Sequence, residues 1–312
     1  MNKYPLVVIA GPTAAGKTNI SLKIARRING EIISADSMQI YRGMDIGTAK
    51  VSRRERALVK HHMIDIINPD HKFSVADFQE RVERLIPEII NRGNLPLMVG
   101  GTGLYIKAVV EGFLFPEMKK DPDLRKKLQK KAESYGREHV HNMLKEIDPV
   151  SADKIHPNDL RRTIRAIEVY RQTGQTMSYF KRVQEEKPDR YYTLMFGLTR
   201  EREELYERIN KRVDLMLEEG LIEEVKELLN KGYDISSTAL QGLGYKEIIS
   251  YIKGEYGLQE AVRILKRDTR HFAKRQISWF KRDSDIIWFN LSRKKQENII
   301  NKIVTLIKEK FS

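Results

Sequence analysis

The sequence predicts an α/β fold in which a parallel sheet is flanked by helices and carries a mostly helical insertion domain. Short apolar segments alternate with helix-like segments over residues 1–110. That alternation is typical of a parallel sheet, whose ligands bind at the carboxyl ends of the strands. Residues 119–190 contain many charges and several helical stretches but little strand signal. We therefore predict a core formed by residues 1–115 and 191–312, and a helical insertion domain at residues 116–190.

The first elements follow from apolar runs and turn residues. Residues 4–10 form a short apolar run that ends at a glycine, which predicts a buried strand. Isoleucines at positions 20, 24 and 28 have helical spacing, and Asn29-Gly30 ends that helix. Residues 31–34 predict the second strand, and residues 62–67 predict a third.

The remaining elements are read in the same way. Ser74 is a candidate N-cap for a helix over residues 75–90, whose apolar face includes Phe78 and Val82. Residues 94–99 predict a strand that runs into Gly100-Gly101, and residues 191–199 predict a strand that returns to the sheet. Everything after Glu201 reads as helical.

Composition excludes several classes of protein. The 312 residues contain 57 Lys and Arg against 43 Asp and Glu, and the net charge of +14 favours a polyanionic partner. A nucleic acid is the first candidate, an acidic membrane surface the second, and a generic basic surface the alternative. The absence of cysteine excludes disulfides, zinc fingers, iron–sulfur ligation and a thiol nucleophile. Since no apolar run approaches about 18 residues, we expect no membrane span and a soluble, cytoplasmic protein.

A phosphate-binding motif follows the first strand and precedes the first helix. Residues 11–18, GPTAAGKT, match the P-loop pattern G-x-x-x-x-G-K-[ST] of ATP-binding and other nucleotide-binding proteins. Its glycines let backbone N–H groups face phosphate oxygens, and the helix N-terminus adds positive potential. Lys17 supplies a full charge, and the Thr18 hydroxyl is a candidate Mg²⁺ ligand. The predicted phosphate site consists of Gly11, Pro12, Thr13, Ala14, Ala15, Gly16, Lys17 and Thr18, in a P-loop NTPase-like fold.

The usual acidic partner of a P-loop metal is missing from the sequence. In NTPases an Asp commonly ends a second apolar strand, whereas residues 97–99 run into Gly100-Gly101-Thr102-Gly103. Asp65 is a possible substitute and equally a structural carboxylate. The motif thus predicts a phosphate site more firmly than it predicts nucleotide hydrolysis.

Two polar residues follow neighbouring strands at the predicted ligand edge. Asp36 comes directly after the second strand, where it is either a general base or the cap of a turn. Thr102 lies in a glycine-rich segment that permits close backbone approach, and its hydroxyl can donate to an anionic leaving group. The alternative for this second segment is an ordinary turn between a strand and a helix.

Basic helices supply candidate contacts to phosphates. Residues 262–283 hold eight Lys and Arg against two Asp, with a basic stripe (Arg263, Arg267, Arg270, Lys274) and an apolar stripe (Leu265, Phe272, Trp279). This face either contacts a nucleic-acid backbone or is simply solvated. Arg161 with Arg165, and Arg208 with Arg212, are pairs one helical turn apart that serve either phosphates or surface ion pairs.

The ordered set of motifs resembles one family, the tRNA dimethylallyltransferases, which prenylate the adenosine at tRNA position 37 beside the anticodon. The resemblance spans nearly the whole chain. It is carried by GPTAAGKT (11–18), SADSMQIYRGMDIGTAK (34–50), HHMID (61–65), GGTGLY (100–105), NDLRRTIRAIEV (158–169), RVDLML (212–217), LQGLGYKE (240–247) and KRQISWF (274–280).

The resemblance implies a reaction and its residues. Lys17, Thr18 and the rest of the P-loop would hold the diphosphate of dimethylallyl diphosphate with Mg²⁺, assisted by Thr102 and Arg212. The choice of Arg212 over Arg208 rests on motif register alone. Asp36 would take the proton from the exocyclic amine of an adenine extruded from the anticodon loop.

The resemblance also implies how the RNA is held. The insertion and the basic C-terminal helix would clamp the tRNA anticodon stem-loop, and we expect a monomer. The implied tRNA-binding residues are Asp36, Ser37, Met38, Gln39, Thr102, Arg125, Arg161, Arg162, Arg165, Gln241, Gly244, Lys246, Lys274 and Arg275.

Three other functions fit parts of the sequence. A P-loop small-molecule kinase would use the insertion as a lid and would not depend on RNA. An RNA-binding module with a degenerate P-loop is disfavoured by the intact Lys17-Thr18 pair. Prenylation of free AMP or ATP is chemically close to the first function, but the basic helix and the long insertion favour a macromolecular acceptor.

Overall fold

Six parallel strands form one sheet in the computed structural model, which describes residues 3–116, 118 and 121–311. The strands are β1 (Tyr4–Ala10), β2 (Gly30–Ala35), β3 (His61–His62), β4 (Leu95–Gly100), β5 (Tyr191–Thr199) and β6 (Ile286–Asn290). Their order across the sheet is β3-β2-β4-β1-β5-β6. The predicted α/β architecture is confirmed.

Fourteen helices accompany the sheet within the described residues. The first four are α1 (Lys17–Arg27), α2 (Arg53–Leu58), α3 (Val75–Asn91) and α4 (Gly103–Val110). The next five are α5 (Pro122–Tyr135), α6 (Arg137–Ile147), α7 (Pro149–Lys154), α8 (Leu160–Thr173) and α9 (Met177–Glu185). The last five are α10 (Arg202–Glu218), α11 (Leu221–Asn230), α12 (Tyr245–Ile252), α13 (Leu258–Phe280) and α14 (Gln296–Phe311).

The sheet is buried on both faces because side chains alternate along each strand. In β1, Leu6 and Val8 pack with the apolar residues of α3 and α4, whereas Val7 and Ile9 pack with those of α1 and α14. A separate apolar cluster joins α10, α11, α12 and α13 to residues 40–44. The C-terminal helices therefore pack beside the loop that follows β2.

Helices α1 and α3 begin where the sequence predicts, after Gly16 and Ser74. Ser74 caps α3 in a capping box with Asp77, which satisfies two backbone donors at the start of the helix. Helix α1 begins at Lys17, directly after Gly16, whose φ of 103° lies in the left-handed region that favours glycine.

Two predictions about strands are wrong. The third strand contains only His61 and His62, because Met63 and Asp65 have φ values of 62° and 55°, which no extended strand accommodates. Residues after Glu201 are not all helical, since β6 pairs in parallel with β5. The apolar run Ile286–Asn290 is short and gains its partner only through this long-range pairing.

The chain divides into two compact units, one formed by residues 1–110 with 190–312 and the other by Glu111–Asp189. The second unit corresponds in extent to the insertion predicted at residues 116–190. Its described part contains helices α5–α9, of which α5–α8 contribute to an apolar core that includes Leu128, Val140, Leu144 and Ile167. Its role in contacting RNA stays a prediction. Across the described residues of the chain, no helix has the length and apolar character that a membrane crossing requires.

Candidate active site

The P-loop connects β1 to α1 and has the backbone geometry that its glycines allow. Gly11 lies against β5, where an added Cβ would meet the Leu198 carbonyl oxygen at 2.3 Å. Gly16 and Ala14 both have positive φ, at 103° and 61°. The sharp path of this loop therefore requires glycine at the first position and holds Ala14 in an uncommon conformation.

Lys17 points back into its own loop. Its Nζ donates to the carbonyl oxygens of Gly11 at 2.9 Å and Pro12 at 2.8 Å. Removal from bulk water, followed by the positive charge of Arg212, lowers the pKa of Lys17 to about 8, while the charge of Asp36 opposes this shift. The ammonium thus rests on carbonyls that phosphate oxygens can replace.

Asp36 follows β2, and both alternatives considered for it are compatible with its geometry. Its Oδ1 accepts hydrogen bonds from the backbone N–H groups of Met38 at 2.9 Å and Gln39 at 3.4 Å, so it does cap a turn. In the part of the chain that the structure describes, Oδ2 has no hydrogen-bond partner. One carboxylate oxygen therefore fixes the side chain, and the other is available for proton transfer.

Thr102 lies beside the Asp36 loop because β4 and β2 are neighbours in the sheet. Its backbone N–H donates to Ala35 at 3.1 Å, and its Oγ1 accepts from the Ser37 N–H at 3.1 Å. A Cβ at Gly100 would meet the Ala35 carbonyl oxygen at 2.1 Å, so only glycine permits this approach of the two chains.

The two candidate arginines of α10 occupy different places. Arg212 lines the cavity at the strand ends, and its Nη2 donates to the Thr48 carbonyl oxygen at 3.4 Å. Desolvation lowers the pKa of Arg212, and the charge of Asp36 raises it. Arg208 donates instead to the Ala14 carbonyl oxygen at 3.0 Å from an exposed position. Of the two, Arg212 is the one that faces the predicted base and the P-loop lysine.

A cavity of about 310 Å³ lies at this edge of the sheet. Its walls include many of the predicted site residues, namely Thr13, Lys17, Thr18, Asp36, Ser37, Met38, Gln39, Thr102, Arg212 and Gly244. Four predicted tRNA-binding residues of the same unit are not part of these walls: Gln241, Lys246, Lys274 and Arg275 are exposed.

Gln276 on α13 is a site residue that sequence reasoning missed. Its Oε1 accepts from the Thr13 N–H at 2.8 Å, and its Nε2 donates to the Gly101 carbonyl oxygen at 2.9 Å. The side chain is buried, and a Cβ at Gly101 would meet its Nε2 at 2.1 Å. The segment KRQISWF pointed to this helix, but nothing in its spacing indicates which two loops the glutamine joins.

Glu224 on α11 is a second residue that the sequence did not single out. Its carboxylate accepts three consecutive backbone N–H groups, from Asp45 and Ile46 at 2.8 Å and from Gly47 at 3.0 Å. The Tyr245 hydroxyl donates to the same carboxylate at 2.7 Å. Glu224 thereby holds the loop whose Thr48 carbonyl accepts from Arg212.

The basic helix α13 differs from its predicted pattern. Its buried side is lined by Ala261, Leu265, Thr269, Ala273, Gln276 and Phe280. Trp279, predicted on the apolar stripe, is 36% exposed. Three members of the predicted basic stripe have local partners: Arg263 pairs with Glu260, Arg267 with Asp268 and Arg270 with Asn210. Lys274 and Arg275 are exposed and form no ion pair within the described ranges, although Arg275 lies over the Phe272 ring.

The predicted arginines of the second unit also fall into two groups. Arg125 donates to Glu168 through Nε at 2.7 Å and Nη2 at 2.6 Å, and Arg165 donates to it at 2.9 Å. Burial opposes ionisation of Glu168, but these hydrogen bonds lower its pKa to about 2. Arg162 pairs with Asp159 at 3.3 Å, and Arg161 is exposed with no ion pair among the described residues.

Comparison with known proteins gives a consistent result. The family model of IPP transferase matches residues 39–283. The chain is 62% identical to the tRNA dimethylallyltransferase of Halothermothrix orenii, over 99% of this chain and 95% of the relative. It is 54% identical to that of Carboxydothermus hydrogenoformans, over 96% of each.

Solved structures agree. The tRNA isopentenylpyrophosphate transferase of Bacillus halodurans has a TM-score of 0.75 at 46% identity, covering 99% of this chain and 97% of that one. A eukaryotic dimethylallyltransferase acting on tRNA has a TM-score of 0.83 at 28% identity, covering 98% and 80%. These similarities favour a prenyltransferase over the small-molecule kinase. The chain therefore belongs to the IPP transferase family, the tRNA dimethylallyltransferases.

Proposed function

We propose that this enzyme transfers the dimethylallyl group of dimethylallyl diphosphate to the N6 amine of the adenosine at tRNA position 37 and releases diphosphate. The observation that carries the proposal is the convergence of Lys17, Asp36, Thr102 and Arg212 on one cavity. Two cations suit a diphosphate, and a carboxylate suits an amine that must lose a proton.

The diphosphate half of the substrate occupies the P-loop in this proposal. Its oxygens replace the Gly11 and Pro12 carbonyls as acceptors for Lys17, and Arg212 adds a second positive charge. Both groups stabilise the negative charge that grows as the bond between C1 and the bridging oxygen breaks. The diphosphate leaves readily because the positive charge that develops on the allylic C1 is delocalised.

The acceptor half of the reaction depends on Asp36. The exocyclic amine of adenine is a weak nucleophile, since its lone pair is conjugated with the ring. The new bond joins N6 to C1, the C1–O bond breaks, and Asp36 Oδ2 accepts the proton that N6 loses. Adenine reaches this carboxylate only when it leaves its stack in the anticodon loop.

Mg²⁺ fits the donors that are present. No cluster of three or more His, Asp or Glu side chains within the described ranges is arranged to hold a metal. Mg²⁺ needs only one or two protein ligands when phosphates and waters complete its shell. The Thr18 hydroxyl lines the cavity and donates to no other described group. When bound, the ion would neutralise part of the diphosphate charge.

The RNA contacts complete the proposal. The anticodon stem-loop binds the exposed cations of α13, including Lys274 and Arg275, and the exposed Arg161 of α8, as a monomeric enzyme. What supports the RNA contacts is the net charge of +14 together with exposed cations that form no ion pair among the described residues. The remaining arginines of the predicted set, Arg125, Arg162 and Arg165, form ion pairs with Glu168 or Asp159 and support the second unit instead of contacting RNA directly.

The decisive experiment follows labelled prenyl groups. The enzyme is incubated with labelled dimethylallyl diphosphate and Mg²⁺, and with unmodified tRNA, AMP or ATP as acceptor. Label in tRNA alone, lost when adenosine 37 is replaced by guanosine, is the expected result. Label in a free nucleotide would contradict the macromolecular acceptor, and transfer of a phosphoryl group from ATP would favour the kinase.

A further inference from the structure

Two arginines, Arg200 and Arg208, contact the backbone of the P-loop, and neither belongs to the motifs that carry the family resemblance. Arg200 directly follows β5, and its Nε donates to the Ala15 carbonyl oxygen at 3.0 Å. Arg208 donates to the preceding carbonyl, that of Ala14, also at 3.0 Å. Neither side chain lines the cavity. Both therefore contact the backbone of the loop from outside the cavity.

Anchoring these carbonyls sets the direction of the loop's donors. The peptide bonds are trans, so the C=O and the N–H of one peptide unit point in opposite directions. Holding the Ala15 carbonyl outward aims the Gly16 N–H toward the concave side, where phosphate oxygens bind. Ala14 and Gly16 both have positive φ. Such conformations persist when the surroundings hold them in place.

Arg200 is itself fixed by other parts of the chain. Its side chain is only 13% exposed, and its Nη1 forms an ion pair with Glu204 on α10. Glu204 in turn accepts a hydrogen bond from the Ser292 hydroxyl, beyond β6. The planar guanidinium thus spans Ala15 and Glu204, a geometry that its fixed fork of donors provides.

We propose that Arg200 is a positioning residue for the diphosphate. It holds the backbone of Ala15 and Gly16 so that the loop binds diphosphate without reorganising. This rests on the proposed function, because the loop is taken to bind the diphosphate of the prenyl donor. Arg200 itself touches neither the diphosphate nor the RNA.

The test compares three substitutions. R200Q removes the charge and the fork, whereas R200K keeps the charge and a single donor group. R293Q is the matched control, since Arg293 pairs with Glu201 in the same corner, is 73% exposed and contacts no P-loop atom. Each variant is titrated with inorganic pyrophosphate and Mg²⁺ by calorimetry, and its KM and kcat are measured for dimethylallyl diphosphate and tRNA.

For R200Q we expect the Kd of pyrophosphate and the KM of dimethylallyl diphosphate to rise about tenfold, the size of effect typical of a lost charge-assisted hydrogen bond. The kcat and the KM of tRNA should stay within about twofold of the wild type. R200K should lie between R200Q and the wild type, and R293Q should match the wild type.

Three outcomes would overturn the proposal. One is unchanged pyrophosphate affinity in R200Q. The second is a fall in kcat together with a rise in the KM of both substrates, which would indicate general damage to the fold. The third is wild-type affinity in R200K, which would attribute the effect to charge alone. Wild-type enzyme that binds pyrophosphate but transfers no prenyl group would contradict the proposed function and leave these comparisons intact.

Discussion

Gln276 accepts a hydrogen bond from the backbone N–H of Thr13 at 2.8 Å, so a buried residue of the basic helix α13 holds the P-loop directly. The same side chain donates to Gly101, one residue before Thr102. The helix proposed to contact RNA is thereby joined to the two loops that carry the diphosphate site and Thr102.

Replacing Gln276 by leucine should remove the hydrogen bonds that hold the P-loop and the loop of Gly101 to α13. The Q276L variant leaves the part-buried Thr13 N–H and the buried Gly101 carbonyl without this partner, and an unpaired buried group typically costs about 1–3 kcal/mol. We expect a lower free energy of unfolding and weaker pyrophosphate binding, measured by denaturant titration and calorimetry. S278A, an exposed change on the same helix, is the control. Equal pyrophosphate affinity in Q276L and the control would contradict this role.

The D36N variant tests the proposed base. Asparagine keeps the oxygen that accepts from Met38 and Gln39, so the turn is preserved while proton acceptance is lost. Removing a general base typically lowers turnover by about 10²–10⁴-fold. We expect that loss in single-turnover prenyl transfer, with tRNA affinity within about twofold in a filter-binding assay. Normal turnover in D36N would assign the proton to another acceptor.

Lys17 gives the reaction a pH dependence. Because its pKa in the free enzyme is lowered to about 8, kcat/KM for dimethylallyl diphosphate should decline as the pH rises above about 8. The kcat profile should decline at higher pH, because bound diphosphate favours the charged ammonium. In R212Q the decline of kcat/KM at alkaline pH, the alkaline limb of the profile, should move to higher pH, since the charge of Arg212 lowers the pKa of Lys17. A limb that stays in place would show that another group titrates.

Lys17 should also destabilise the free protein. Its pKa is 10.5 in the reference state and about 8 when folded, so between these pH values the unfolded chain binds more protons and stability rises with pH. Below pH 8 the lowered pKa corresponds to a cost of at most about 3 kcal/mol, which the partial exposure of the side chain in the cavity reduces. We expect K17M to be more stable than the wild type at pH 7, with the difference shrinking toward pH 10.

The measurement for this prediction is denaturant unfolding of K17M and of K23M at both pH values. Lys23 lies on the same helix and is exposed, so K23M should match the wild type throughout. A constant difference between K17M and the wild type from pH 7 to pH 10 would exclude titration of Lys17 as its cause.

The arginines of the second unit should separate into binding and structural residues. Arg161 has no ion pair among the described residues, so R161A should reduce the salt dependence of tRNA binding by about one phosphate contact, with unchanged stability. R125A leaves Glu168 with Arg165 and the Asp121 backbone N–H as partners, removes a two-point ion pair from a buried carboxylate, and should lower the melting temperature. Thermal unfolding together with tRNA titration at several salt concentrations checks both. A stable R125A with a reduced salt slope would reverse the assignment.

Local signals predicted much of the core. The glycines of residues 11–16 adopt special backbone angles, and Ser74 with Asp77 forms a cap within one helical turn. Both features depend only on residues close together in the sequence, so local patterns predict them. Residues 286–290 were missed because a short apolar run becomes a strand only beside β5. Gln276, Glu224 and Arg200 were missed for a related reason: each binds backbone groups far away in the sequence.

The order of the strands also fixes a length. Because β4 lies between β1 and β2, the loop of Lys17 and the loop of Asp36 are two strand spacings apart, about 10 Å. Thr102 stands at the end of the strand between them. A donor gripped at the first loop must span that gap to present its reactive carbon near the second. The sheet thus sets the distance over which the diphosphate must extend to place C1, the carbon bonded to it, near Asp36.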